Sequence, residues 1–83
     1  MQVHLELYAA LMRYLPPGAD RHRVTVDIEP GATAHDLLDR YKVPREQAHL
    51  VLRNGVFLQP AERDGLALAE GDLVAAWPPV AGG

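Results

Sequence analysis

The sequence predicts a small two-layer α+β domain in which one helix packs against one mixed β-sheet. Two segments in the first third of the chain alternate between apolar and polar residues, as strands with one buried face do, whereas one segment near the middle has apolar residues at helical spacing. The chain has 83 residues, of which 48% are apolar. This length and composition support one hydrophobic core and leave no room for a second domain.

The first two predicted strands form a hairpin with a long loop. The segments from Gln2 to Tyr8 and from Arg23 to Ile28 both alternate. Between them, Ala9 to Asp20 breaks the pattern and predicts a short irregular or helical turn, which Pro16-Pro17-Gly18 ends because proline and glycine interrupt regular structure. We expect the apolar residues of both strands to face the core, namely Val3, Leu5, Leu7, Val24, Val26 and Ile28.

The predicted helix follows the turn at Glu29-Pro30-Gly31. Thr33 is a good N-cap residue, and Asp36 stands three residues later, in the position of a variant capping box. We expect Pro44 to stop the helix. One face of the helix is apolar, and two cations fall in its predicted last turn, where the helix dipole favours them; these residues are Leu37, Leu38 and Tyr41, and Arg40 and Lys42.

The second half of the chain predicts a hairpin and a closing strand. Asn54-Gly55 lies between the apolar runs Leu50 to Arg53 and Val56 to Leu58, and both turn residues tolerate positive φ. The turn Glu70-Gly71-Asp72 then precedes a last strand from Leu73 to Trp77. The predicted order is therefore strand, strand, helix, strand, short strand, strand.

The composition excludes several kinds of functional site. Without cysteine the chain has no disulfide, thiolate zinc site or catalytic thiol, and this fits a reducing cytoplasm. Eleven acidic residues against eight basic ones argue against a nucleic-acid partner, and no apolar run is long enough to span a membrane. We predict no metal site, because the histidines lack metal-ligand spacing; they are His4, His22, His35 and His49.

The closing residues carry a resemblance to a known family. We divide the chain into a domain, residues 1–77, and a tail, residues 78–83, that reads Pro-Pro-Val-Ala-Gly-Gly. This tail, the strand order and the Glu70-Gly71-Asp72 turn resemble the ubiquitin-like β-grasp sulfur carriers. The small subunit of molybdopterin synthase is the nearest match, and the thiamin-pathway carrier is more distant. The resemblance implies a mixed sheet of four to five strands packed on one main helix, with a flexible C-terminal Gly-Gly tail.

The resemblance also implies the chemistry of the tail. In this family a partner enzyme uses ATP to adenylate the terminal carboxylate, and a sulfur donor converts the product to a thiocarboxylate. Gly83 would carry that group, while the chain itself binds no cofactor and is not an enzyme. Glycines keep bulk away from the reacting carbonyl and let an extended backbone enter a narrow channel. The residues implied to dock on the partner are Pro78, Pro79, Val80, Ala81 and Gly82.

Three aromatic residues are implied to meet the partners. Carriers of this family place apolar side chains at the positions of Tyr8, Phe57 and Trp77, on the sheet face away from the helix. That face meets the activating enzyme and the synthase large subunit. Phe57 could instead belong to the core, whereas Trp77 lies just before the tail, where aromatic anchors are typical. We expect Arg53 and Arg63 to be solvated surface residues.

Other functions stay open at this stage. Sulfur carriers of this shape supply several pathways, including molybdopterin, thiamin, tRNA thiolation and cysteine, and the closing sequence favours molybdopterin. The same adenylation serves protein modifiers, which would be joined through Gly83 to a lysine of a target. A plain β-grasp binding module with an inert, frayed tail would keep its function without Gly82 and Gly83.

Overall fold

The computed structural model describes residues 1–80 as a five-stranded sheet with the strand order β2-β1-β5-β3-β4. The strands are β1 (Gln2–Leu7), β2 (Arg23–Asp27), β3 (Leu50–Arg53), β4 (Val56–Phe57) and β5 (Leu73–Trp77). The helices are α1 (Ala34–Arg40) and the short α2 (Glu62–Gly65), and two 3₁₀ helices span Ala9–Tyr14 and Arg45–Gln47.

The sheet is mixed, as predicted. Strand β1 pairs antiparallel with β2 and parallel with β5. Strand β3 pairs antiparallel with both β5 and β4. The central strand, β5, and its parallel neighbour, β1, therefore come from opposite ends of the described chain.

The core lies between the sheet and α1. Val3, Leu5 and Leu7 are fully buried, which confirms the inner face of β1 that the alternation predicts. The same face of the sheet buries Val26, Val51, Val74 and Ala76, and α1 covers it with Leu37 and Leu38. Leu11 of the first 3₁₀ helix closes the core.

The start of α1 agrees with the prediction, and its end does not. Thr33 and Asp36 form both hydrogen bonds of a capping box, because each side chain accepts from the other residue's N–H. The helix ends at Arg40, so Lys42 lies beyond the last helical turn. Lys42 has φ +60° and donates its N–H to the Asp39 carbonyl, while the N–H of Val43 donates to the Leu38 carbonyl. This Schellman motif, rather than Pro44, terminates the helix.

The second hairpin has the predicted turn. Asn54 and Gly55 both have positive φ, at 51° and 83°. The turn is tied to the start of β5, because the Asn54 side chain donates to Asp72 and accepts from the Leu73 N–H. Asp72 also forms an ion pair with Arg53, with 2.8 Å between the charged atoms, so Arg53 is less solvated than the sequence suggests.

The structure contains a helix that the sequence analysis missed. Helix α2 has only four residues and no apolar periodicity, so nothing in the hydrophobic pattern marks it. The second residue of α2, Arg63, is 6% exposed, so the expectation that Arg63 is a solvated surface residue is wrong. Its three hydrogen bonds to backbone carbonyls compensate for its burial.

Two further properties concern residues 1–80. In this part of the chain no helix is long and apolar enough to cross a membrane. Nor do any three histidine or acidic side chains there come together as metal ligands would.

Candidate functional site

A continuous patch covers the sheet face opposite α1. We call it the outer patch. The pairing register places Leu50 beside Trp77, and Leu52 between Ala75 and Phe57. Tyr8 follows β1 on the other side of β5, where its N–H donates to the Ala76 carbonyl. The outer patch consists of Tyr8, Leu50, Leu52, Phe57, Ala75 and Trp77.

The structure brings Tyr8 and Trp77 together. Their rings stack with 4.5 Å between centroids and an interplanar angle of 4°. On its other side Tyr8 stacks on His22, with 4.5 Å between centroids and 22° between planes. His22 was not among the predicted site residues, because it lies in a loop that only the folded hairpin brings beside Tyr8. The three rings form one stack at the end of the sheet from which the tail leaves.

A charged pair fixes the hydroxyl end of this stack. The Tyr8 hydroxyl donates to Glu6 Oε1 over 2.8 Å, and Arg23 forms an ion pair with the other oxygen of Glu6 over 2.9 Å. The hydrogen bond to Glu6, with a smaller contribution from burial, raises the pKa of Tyr8. Burial acts to raise the pKa of Glu6, but the Tyr8 hydroxyl and the Arg23 guanidinium outweigh it and lower that pKa. Tyr8 is therefore held at both its ring and its hydroxyl.

Phe57 lies at the opposite edge of the outer patch. Its residue is 43% exposed, so the alternative that it belongs to the core is wrong. The guanidinium carbon of Arg63 lies 5.6 Å from the centroid of its ring, within cation–π distance. Leu52 separates Phe57 from β5, so Phe57 does not join the Tyr8–Trp77 stack.

Arg63 supports this edge of the outer patch through hydrogen bonds to the backbone. Its guanidinium donates to the carbonyls of Leu58, Ala48 and His49 over 3.1, 3.0 and 3.2 Å. Burial lowers the pKa of Arg63. The sequence carries no signal for this role, because a buried arginine and a solvated one look the same in it.

The base of the tail borders an apolar groove. Trp77 ends β5 and is half-buried, and the next residues, 78–80, leave the sheet. Val80 is 77% exposed. The groove has a volume of about 730 Å³ and is lined by Ala9, Ala10, His49, Leu50, Trp77, Pro78, Pro79 and Val80. Ala81, Gly82 and the predicted reactive residue Gly83 lie outside the described residues.

A family model described as the ThiS family matches residues 7–83. The chain belongs to the ThiS family. Small archaeal modifier protein 1 of Haloferax volcanii is 30% identical to it over the whole of both chains, with a TM-score of 0.68. No curated protein matches the chain.

Two further solved structures share the fold. The HVO 2177 protein of Haloferax volcanii is 24% identical, and the match covers 100% of this chain and 87% of that one with a TM-score of 0.77. One chain from the structure of the complex of subunits 1 and 2 of molybdopterin-converting factor from Helicobacter pylori is 17% identical, and the match covers 100% of this chain and 100% of that one with a TM-score of 0.58. The β-grasp fold predicted from the resemblance is confirmed, and the ThiS family to which the chain belongs is a family of small ubiquitin-like carrier proteins.

Proposed function

We propose that this ThiS-family chain is a sulfur carrier that works through a thiocarboxylate on Gly83. The observation that carries the proposal is the family match, which extends to residue 83 and so includes both terminal glycines. In the first step a carboxylate oxygen attacks the α-phosphate of ATP and pyrophosphate leaves. A sulfur nucleophile then attacks the acyl carbon and AMP leaves. With a persulfide as the donor, the product is an acyl disulfide; a thiol then attacks the donor's sulfur, so that the thiocarboxylate leaves and the donor and the thiol are joined in a disulfide.

The catalytic groups for these steps belong to partners. We propose an adenylating enzyme of the E1 type, a sulfur donor and a sulfur acceptor. We propose that the sulfur is used in molybdopterin biosynthesis, with a synthase large subunit as the acceptor, because the tail sequence from Pro78 to Gly83 favours that pathway. The cysteine-free composition suits a reducing cytoplasm.

The outer patch is the surface that we propose these partners bind. Phe57 and Leu50 are 43% and 37% exposed, and exposed apolar side chains that cluster beside a reactive tail are typical of interaction sites. Trp77 is the anchor, because it is half-buried, supported by Tyr8 and directly followed by the tail. The apolar groove at the tail base extends this surface.

A protein modifier is the second candidate. It is favoured by the 30% identity to small archaeal modifier protein 1. Both functions begin with the adenylate, and they differ in the nucleophile: a sulfur donor yields the thiocarboxylate, whereas a lysine amine of a target yields an isopeptide bond with release of AMP.

Intact-mass spectrometry separates these functions. The protein is incubated with a competent adenylating enzyme, ATP and a sulfur donor, beside a variant that lacks Gly83. We expect a gain equal to the mass difference between sulfur and oxygen, absent from the deletion variant, whose melting temperature is unchanged. Conjugates linked through Gly83 in a cell extract would favour the modifier. No mass change with an enzyme that activates a known carrier would favour an inert module, and sulfur transfer that survives the deletion would refute the role of Gly83.

A further inference from the structure

We propose that Arg63 is a positioning residue for the partner-binding surface, which it holds in one arrangement from Phe57 to the base of the tail. This inference rests on the proposed function and deepens it, because it names the group that shapes the outer patch.

The first step of the argument is where the Arg63 side chain is bonded. Its three carbonyl partners flank two strands: Ala48 and His49 precede β3, and Leu58 follows β4. One guanidinium therefore ties the entry of β3 to the exit of β4. Among residues 1–80 no carboxylate forms an ion pair with Arg63, so its charge is directed only at backbone dipoles and at an aromatic ring.

The second step connects Arg63 to both ends of the outer patch. At one end its guanidinium lies against the ring of Phe57, and Phe57 is 43% exposed. At the other end Arg63 donates to the Ala48 carbonyl, and the N–H of the same peptide unit, which belongs to His49, donates to the Trp77 carbonyl over 2.9 Å. Arg63 is thus separated by a single peptide unit from the residue that precedes the tail.

The third step separates this role from simple stabilisation. Loss of the three hydrogen bonds would lower stability in any case, because buried carbonyls would lose their donors. If Arg63 only stabilises the fold, its substitution leaves the affinity of folded molecules unchanged. If Arg63 positions Phe57, its substitution lowers that affinity, and does so only while the Phe57 ring is present.

A double-mutant cycle tests this distinction. Arg63→Lys keeps the charge but cannot donate to three carbonyls in a fixed fork. We measure the affinity of wild type, Arg63→Lys, Phe57→Ala and the double variant for the adenylating enzyme, well below each melting temperature. We expect Arg63→Lys to weaken binding about tenfold, as loss of one interface anchor does, and about threefold or less in the Phe57→Ala background. Arg53→Lys is the matched control; it disturbs a partly buried ion pair at the other end of β3 and should leave the affinity unchanged.

Two results would overturn the proposal: wild-type affinity in Arg63→Lys, or the same loss in both backgrounds. If Arg63→Lys does not fold, Phe57→Leu takes its place, since it removes the ring and keeps the hydrogen bonds of Arg63. We then expect a loss of about fivefold or more with an intact fold, and unchanged affinity overturns the proposal. Wild type that is neither bound nor thiocarboxylated refutes the proposed function and this inference with it, whereas active wild type with an unaffected Arg63→Lys refutes the inference alone.

Discussion

Replacement of Asp72 by asparagine should destabilise the fold at neutral pH, although the side chain changes by one group. Asp72 is 7% exposed. Its carboxylate accepts from the Ala69 N–H over 2.8 Å and from Asn54 Nδ2 over 2.9 Å, and it lies 2.8 Å from an Arg53 nitrogen. Asp72 therefore joins the hairpin turn to the start of β5, because its carboxylate is the common acceptor for Ala69, Asn54 and Arg53.

The magnitude follows from those three contacts. A hydrogen bond to a charged group contributes about 1.5–3 kcal/mol, and an asparagine has one acceptor oxygen and an amide group that must face one of the donors. We expect a loss of about 2–3 kcal/mol in the free energy of unfolding. For a domain of this size, that loss lowers the melting temperature by roughly 8–24 °C.

The dependence on pH has a defined sign. Burial acts to raise the pKa of Asp72, but the bonds from Ala69 and Asn54 and the Arg53 charge outweigh it, so the pKa is lower in the folded protein than in the unfolded chain. The stability that Asp72 contributes is therefore complete above the unfolded value of about 3.9 and is lost as the pH falls through the lower folded value. The difference between wild type and Asp72→Asn should be largest at pH 7 and shrink below about pH 4.

Urea denaturation at several pH values measures this difference. Asp27→Asn is the matched control, because Asp27 is exposed and its carboxylate has no hydrogen bond with the described residues; it should change stability by less than about 0.5 kcal/mol. The reasoning is refuted if Asp72→Asn is as stable as wild type at pH 7, or if the two differ by the same amount at pH 3 and pH 7.

Three other predictions concern the helix end, the core and the outer patch. Lys42→Gly should stabilise the protein by about 1 kcal/mol in urea denaturation, since glycine has no steric penalty at φ +60°; Lys42→Ala, which keeps that penalty, should not. Leu5→Ala should cost about 2–5 kcal/mol, because Leu5 is fully buried, and a loss below 1 kcal/mol would contradict the assigned core. Trp77→Ala should cost about 1 kcal/mol of stability through its stack on Tyr8, yet about 2 kcal/mol or more of partner binding by calorimetry. A large stability loss with unchanged binding would place Trp77 in the core.

Local signals explain what the sequence could predict. The alternation of β1 identifies its buried face because side-chain direction reverses at every residue of a strand. Thr33 with Asp36, and Asn54 with Gly55, each define a local geometry through the chemistry of a few neighbouring residues. These interactions span three residues or fewer along the chain, so they can be inferred without the fold.

The features that the sequence could not predict depend on distant partners. Arg63 is bonded across 14 and 15 residues to His49 and Ala48, and Tyr8 meets His22 only because the hairpin closes. The end of α1 depends on a left-handed lysine, a conformation that residue type does not favour. The reactive role that we propose for the tail rests on a family resemblance rather than on any physical signal in its residues.

The parallel pairing of β1 with β5 makes the order of synthesis matter. Strand β5 fills the centre of the sheet between β1 and β3, yet among the strands of residues 1–80 it is the last to be translated. A nascent chain that stops before Leu73 has two separate hairpins and no strand to join them. Folding must therefore wait until β5 has been translated, and a chain that stops earlier stays open to proteolysis. Because the sheet is complete only when β5 is present, only chains translated at least as far as Trp77 would fold cooperatively and resist proteolysis.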